Sequence, residues 1–248
     1  MSREGIFENI RDHFDEAGFN ITVKIGSHDY DAAAARKKSG EFVPGARSII
    51  LTGFGGRGFW EVFNRFLALN AGFIEKHENP VDDYTRAVFG GLTPALETLA
   101  GAGYRTVFPF GKDALDLDFV RLGILGGVGV PSLLGLLLNP VYGTWISLRG
   151  AILTDIEFDA YDAPIVGFEP CPPCDKPCIT ACPAHTVSES GWDWEACMRH
   201  RIRTDVCSDK CASRLACPYG KEHAYNADQI AHHHGFVLKS VKEYFGET

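Results

Sequence analysis

The first 170 residues of this 248-residue chain contain no cysteine. No disulfide framework, catalytic thiol or thiolate metal site can therefore lie in that part. Residues 122–148 contain no charged side chain, which first suggests a membrane span. That run, LGILGGVGVPSLLGLLLNPVYGTWISL, is broken by many glycines, by Pro131 and Pro140 and by Asn139, so it reads as buried or cofactor-lining rather than spanning. Basic excess is missing too: the net charge is −8 and no basic run offsets it, so no nucleic-acid footprint is expected. The first residues, MSREGIFENIRDHFDEAG, hold no apolar core of an export signal, which predicts a cytoplasmic protein. The 45% apolar and 23% charged fractions are those of an ordinary globular chain, long enough for one large domain and a small one.

All eight cysteines lie between residues 171 and 217. They read Cys171-x2-Cys174-x3-Cys178-x3-Cys182-Pro183, then Cys197, then Cys207-x3-Cys211-x5-Cys217-Pro218. Bacterial ferredoxins use C-x2-C-x2-C-x3-C-P, in which the cysteine before proline ligates the other cluster. Here a near copy of that run is followed by a looser one that also ends in Cys-Pro. Three thiolates from one tight loop can cap one face of a cubane, and the fourth comes from a distant segment. Eight thiols match two [4Fe-4S] clusters with none left over. The extra residue between Cys174 and Cys178 and the wide Cys211 to Cys217 gap depart from the standard spacing, which leaves room for a three-iron cluster at one site. Structural zinc, with His185 and His200 in reach, is the competing reading, and a disulfide framework a weaker one. Reduced thiolates suit the cytoplasm. The basic group Arg199, His200, Arg201 and Arg203 reads first as a solvated face and second as a docking point for an acidic electron donor.

Along the chain, residues 3–17 carry Ile6, Phe7, Ile10 and Phe14 at helical spacing. Residues 20–26 alternate as a strand, an Ala-rich helix is expected over 31–38, and 47–52 is a short apolar strand. Gly53, Gly55 and Gly58 then satisfy G-x-G-x-x-G before a helix, FWEVFNRFLAL. No acid follows at the spacing a dinucleotide site requires, so a tight turn is the preferred reading and a flavin or nicotinamide site the lesser one. A long helix is expected over 80–102, a strand over 104–110, and a helix over 113–125. Residues 144–148 and 151–154 read as a hairpin turning at Arg149-Gly150. The triplet His232–His234 reads as helix surface before it reads as a metal or heme ligand. The pattern predicts an α+β fold: an α/β domain over 1–165, a ferredoxin-like module over 166–220, and a C-terminal helix over 221–248 that packs back.

Gly127-Val128-Gly129, Asn139-Pro140-Val141-Tyr142-Gly143-Thr144-Trp145, Arg149-Gly150-Ala151-Ile152-Leu153-Thr154-Asp155 and the eight cysteines together resemble epoxyqueuosine reductase and its relatives. The resemblance covers about residues 80–220. It implies a cobalamin-binding domain of the flavin-reductase and B12-processing fold coupled to two [4Fe-4S] clusters. It implies that Cys171, Cys174, Cys178 and Cys217 hold one cluster and Cys182, Cys197, Cys207 and Cys211 the other. It further implies a catalytic acid, which falls on Asp113, with Asp116 and Asp118 as neighbours, and a cofactor site with Gly127, Gly129, Asn139, Tyr142 and Gly143. Where the family carries an aromatic and a Lys-Asn pair after Gly129, this chain has Val130, Pro131, Ser132, Leu133 and Leu134.

The expected function is a reductase that passes electrons through two clusters to a corrinoid or another small molecule. A ferredoxin- or flavodoxin-type protein would be the donor, and neither nucleic acid nor membrane a partner. The alternatives are an electron-transfer or cofactor-handling protein without turnover, and a flavin- or nicotinamide-linked iron–sulfur protein.

Overall fold

The structure is a computed structural model that describes residues 2–92 and 102–246. The chain divides into two compact units, Met1–Gly129 with Ser147–Val166, and Val130–Ile146 with Gly167–Thr248. This division differs from one cut at 165/166: the uncharged stretch 130–146 groups with the cysteines, and so does the C-terminal helix.

The first unit is built on a sheet of order β1-β2-β6-β3. Helix α1 (Arg3–Glu16) starts where the Ser2 hydroxyl accepts the Gly5 N–H at 3.1 Å, and it buries Ile6, Phe7, Ile10 and Phe14. It stops at Gly18, whose φ of +87° is open to glycine at no steric cost. Strand β1 (Ile21–Gly26) pairs antiparallel with β2 (Ser48–Gly55), placing Val23 opposite Leu51. Every residue of β2 is buried, as its unbroken apolar run requires of a strand covered on both faces. Strand β6 (Ile146–Thr154) lies between β2 and β3 (Tyr104–Val107), and pairs antiparallel with β3. Gly53 permits a close approach: a Cβ there would stand 2.3 Å from the Ser147 carbonyl oxygen.

Helices α3 (Gly58–Leu69) and α5 (Pro80–Gly91) supply an aromatic core, with α2 (Ser27–Ala33) and the short α4 (Phe73–Lys76) beside them in sequence. Phe54 and Phe59 stack with centroids 4.0 Å apart, Phe14 and Phe89 lie at 4.8 Å, and Phe63 and Tyr84 at 5.3 Å. Each such buried ring contributes about 1.5–3 kcal/mol of transfer free energy.

Several sequence expectations give way here. The Ala-rich helix falls at Ser27–Ala33, not 31–38. The helix from 80 runs to Gly91, and the part of that expectation from 93 to 101 lies outside the described residues. Strand β3 ends at Val107, with a turn at 109–110, and the helix expected from Asp113 begins only at Phe119, as α6 (Phe119–Leu125), after turns. The expected hairpin at Arg149-Gly150 is a single strand. Arg149 is 7% exposed, hydrogen-bonds Thr85 Oγ1 at 3.3 Å, pairs with the Asp82 carboxylate and lies 4.6 Å from the Phe110 ring centre. A Cβ on Gly150 would sit 2.4 Å from the Phe89 ring, so this glycine marks close packing, not a turn.

The second unit has short elements. A two-stranded ribbon, β4 (Val130–Pro131) and β5 (Leu137–Leu138), is followed by a turn closed by Asn139 and Gly143. Then come α7 (Pro177–Thr180), the ribbon β7 (Val187–Ser188) and β8 (Gly191–Trp192), α8 (Trp194–Arg203), α9 (Ala212–Ala216) and α10 (Ala227–Phe245). Its core joins Leu134, Leu138 and Val187 to Cys178, Cys182 and Cys217. Helix α10 lies on α8: the Arg201 guanidinium donates to the His234 carbonyl at 2.9 Å, and Trp194 meets Tyr244 ring to ring at 6.1 Å.

Candidate metal centre

The eight cysteines of the second unit, all free thiols, sort into two quartets around two hollows. Cys182, Cys197, Cys207 and Cys211 line a cavity of about 220 Å³, together with Leu134, Trp192, Arg201, Lys210 and His234 among others. Cys171, Cys174, Cys178 and Cys217 line a tight hollow of about 20 Å³, walled by Leu133, Leu134, Leu138, Pro170 and Tyr219. Among the described residues no three His, Cys, Asp or Glu side chains close on a single metal-ion position. Each quartet instead lines a hollow: the one of about 220 Å³ has room for a multi-atom group, whereas the one of about 20 Å³ is nearly closed.

Local backbone geometry explains the irregular spacing. Between Cys174 and Cys178 the additional residue is absorbed at Lys176, which adopts a left-handed φ of +52° directly before Pro177. Its N–H then donates to Cys174 Sγ at 3.3 Å. His185, φ +53°, makes the matching bend after Cys182-Pro183. Cys211 occupies the N-cap of α9, its sulfur accepting the Arg214 N–H at 3.4 Å. Cys182 Sγ is held by Thr186 through its N–H and its hydroxyl, both at 3.4 Å.

These surroundings act differently on the thiols. Burial pushes Cys178, Cys207, Cys211 and Cys217 up, and neighbouring thiolates push the same way. Burial also raises Cys182, but the hydrogen bonds from Thr186, Ser213 and Ala184 outweigh it and leave this thiol below its ordinary value. His234 is pushed down to about 4 by burial and by the Arg201 and Arg214 guanidiniums. A largely neutral imidazole and the cationic Arg201, Lys210 and Arg214 thus share the wall of this cavity with the four thiols.

The residues expected to hold an organic cofactor have other work. Asn139 Oδ1 accepts the N–H groups of Val141 and Tyr142 at 2.8 and 2.9 Å, and the Asn139 and Gly143 backbones exchange hydrogen bonds. Gly143 (φ +57°) and Gly220 (φ +68°) let two backbones touch: a Cβ on Gly143 would lie 2.0 Å from the Tyr219 carbonyl oxygen. Tyr142 meets His223 ring to ring at 5.0 Å. The Asn139–Gly143 motif therefore clasps the segment that follows Cys217-Pro218. Gly127 (φ +66°) and the buried Gly129 belong to the first unit, where a Cβ on Gly127 would strike the Ala163 carbonyl at 2.4 Å. Asp113 lies in an exposed turn of that unit and pairs with Arg105. Asp116 pairs with Lys37 at 2.8 Å, and Asp118 caps α6 by accepting the Arg121 N–H at 2.9 Å. Among the described residues these candidates do not line either hollow. Gly53–Gly58 are likewise accounted for by strand packing and the turn into α3.

Sequence reasoning missed Thr186, Ser213 and Arg214, and named Arg201 only within a basic face and His234 only within a histidine triplet. Local spacing offered a signal for three of them: Arg201 lies four residues after Cys197, Thr186 four after Cys182 and Arg214 three after Cys211. Ser213 and His234 come near the cavity only through the fold.

Neither a protein-family model nor a curated protein matches the chain. Solved structures do. A crystal structure of epoxyqueuosine reductase with an epoxyqueuosine-modified tRNA stem loop aligns with TM-score 0.64 and 14% identity, over 93% of this chain and 69% of that one. The C. elegans B12-trafficking protein CblC aligns with TM-score 0.58 and 13% identity, over 97% and 94%. A catabolic reductive dehalogenase in complex with 3-bromo-4-hydroxybenzoic acid aligns with TM-score 0.54 and 13% identity, over 97% and 40%. The chain thus has the mixed α/β fold of the epoxyqueuosine reductases and of CblC, as its motifs suggested. It spans about two thirds of the epoxyqueuosine reductases, 66% of the Streptococcus thermophilus one. No helix among the described residues is long and apolar enough to cross a membrane.

Proposed function

We propose that this chain is an iron–sulfur redox protein, with one [4Fe-4S] cluster held by Cys171, Cys174, Cys178 and Cys217 and a second by Cys182, Cys197, Cys207 and Cys211. The sorting of eight thiols around two separate hollows carries this reading, and the reductases among its structural neighbours support it. When bound, such clusters supply one-electron reduction at low potential. The chain's own part is to exclude water with Leu133, Leu134, Leu138 and Trp192, to direct amide and hydroxyl donors at the sulfurs, and to balance charge with Arg201. The proposed electron donor is a cytoplasmic carrier of the ferredoxin or flavodoxin class. The proposed acceptor is a corrinoid or other small molecule, a theme supported by the likeness to a B12-trafficking protein.

Anaerobic purification with iron, sulfide, zinc and cobalt quantified, before and after incubation with cobalamin, tests this. About eight irons and eight sulfides per chain are expected, as two cubanes require, and Cys171→Ser or Cys197→Ser should each remove about half. Zinc in place of iron would sink the redox reading.

The second reading is electron transfer without turnover. It is favoured by the exposed Asp113–Arg105 pair and by an Asn139 spent on its own turn. Asp113→Asn separates the two, because only an enzyme using that carboxylate as proton donor loses activity. The neighbour solved with a tRNA stem loop makes nucleic acid a further candidate partner, against which the net charge of −8 speaks. Binding of a stem-loop RNA at low salt would reverse that judgement.

A further inference from the structure

The two hollows differ in what reaches their sulfurs. Around the smaller one the donors are backbone amides, Lys176 N–H to Cys174 and Tyr219 N–H to Cys217. Its hydroxyls are turned elsewhere: Ser132 donates to the Leu136 carbonyl at 2.7 Å and Tyr219 to the Pro170 carbonyl at 3.3 Å. Its cation, Lys176, is paired with Glu189 at 2.6 Å.

Around the larger hollow, donors crowd onto one sulfur. Cys182 Sγ receives the Thr186 N–H and meets the Thr186 hydroxyl, both at 3.4 Å, and the nearby Ser213 hydroxyl and Ala184 N–H also favour its charged form. A cluster-bound sulfur carries no proton, so both hydroxyls must be donors to it. The setting is dry: Cys182, Thr186 and Ser213 are 6%, 7% and 1% exposed. The Arg201 guanidinium, 6% exposed, lines the same wall.

Reducing a cluster by one electron adds one negative charge. Hydrogen bonds and cations at the sulfurs stabilise the more negative form and raise the potential. We propose, resting on the two-cluster reading above, that Thr186, backed by Ser213, tunes the site formed by Cys182, Cys197, Cys207 and Cys211 to a higher reduction potential than that of its neighbour site. One electron taken by the Cys171/Cys174/Cys178/Cys217 site from a ferredoxin- or flavodoxin-class carrier then passes to the other site. The first is reoxidised as the second is reduced, with no proton required. Thr186 is a positioning residue in this scheme, acting through the Cys182 sulfur.

The test is a redox titration followed by electron paramagnetic resonance on the anaerobically reconstituted full chain, with Cys171→Ser and Cys197→Ser assigning each wave to its quartet. Thr186→Val, which keeps the shape and the N–H but removes the hydroxyl, should lower the higher wave alone. At fixed poise the oxidised-to-reduced ratio of that cluster should change about tenfold, which is ~59 mV for one electron. Thr186→Ser should restore the wild-type wave, and Ser213→Ala should move it the same way by less. Coincident waves in the wild type, a higher wave unmoved by Thr186→Val, or an equal shift of both waves would overturn the proposal. Should Thr186→Val shed its cluster, the Ser213→Ala shift decides in its place. A chain that takes up no iron defeats the two-cluster reading and this inference with it, whereas full iron with unmoved potentials defeats the inference alone.

Discussion

The first unit and the second solve the same problem with different means. The first has a four-stranded sheet and a run of ring contacts from Phe14 through Phe54 and Phe59 to Tyr84, enough buried apolar surface to hold itself together. The second has two-residue strands, helices as short as four residues, and a core in which three of the six buried members are cysteines. Thiols packed among leucines, with Cys178 and Cys217 pushed up by burial, are poor anchors for a fold unless something binds them. On the proposed two-cluster reading, burial that disfavours free thiolates becomes a dry socket once iron neutralises them, and the order of the second unit is expected to depend on what it carries.

Removing iron should break the comparison most sharply. Anaerobic chelation is expected to abolish hydrogen-exchange protection across α8, α9 and α10 while β1, β2 and β6 keep theirs, and equal retention in both units would mean the leucine core suffices alone. Phe59→Ala should act the other way round, costing about 3–5 kcal/mol in chemical denaturation of the first unit with iron content unchanged.

Arg149→Met should cost up to about 3 kcal/mol at neutral pH, because it strands a buried carboxylate. Burial already raises Asp82 above 3.8 despite Arg149, and losing the guanidinium raises it further. A raised folded-state pKa means that the folded chain binds the proton more tightly. The variant's stability should therefore fall as pH rises above 3.8 through the new value, and a flat profile would contradict the assignment.

Gly143→Ala forces a left-handed residue off glycine, about 1–2 kcal/mol, and drives a Cβ into Tyr219, so iron incorporation should fall in the second unit only. Asp113→Asn is expected to change thermal stability least, by less than about 1 kcal/mol, as for any exposed ion pair.

Much of the first unit was legible. Ile6, Phe7, Ile10 and Phe14 announced α1, and the apolar run 47–52 announced a short strand, found at Ser48–Gly55, because burial writes itself directly into residue order. Arg149-Gly150 misled, since a charge followed by glycine looks like a turn until Asp82, Thr85 and Phe89 arrive from 60 or more residues away to bury it.

By itself the sequence determined that all eight thiols lie within residues 171–217 and that their spacing is of the ferredoxin kind. Spacing is a local property, set by the reach of a short loop. Only the tertiary structure decided which hydroxyls and cations face which sulfurs: Thr186 and Ser213 on Cys182, Arg201 and His234 beside it, and leucines around the other quartet. Thr186 is only four residues from Cys182, but Ser213, Arg201 and His234 come from further along the chain, and the energies that tune a buried sulfur depend on neighbours a few ångströms away in space.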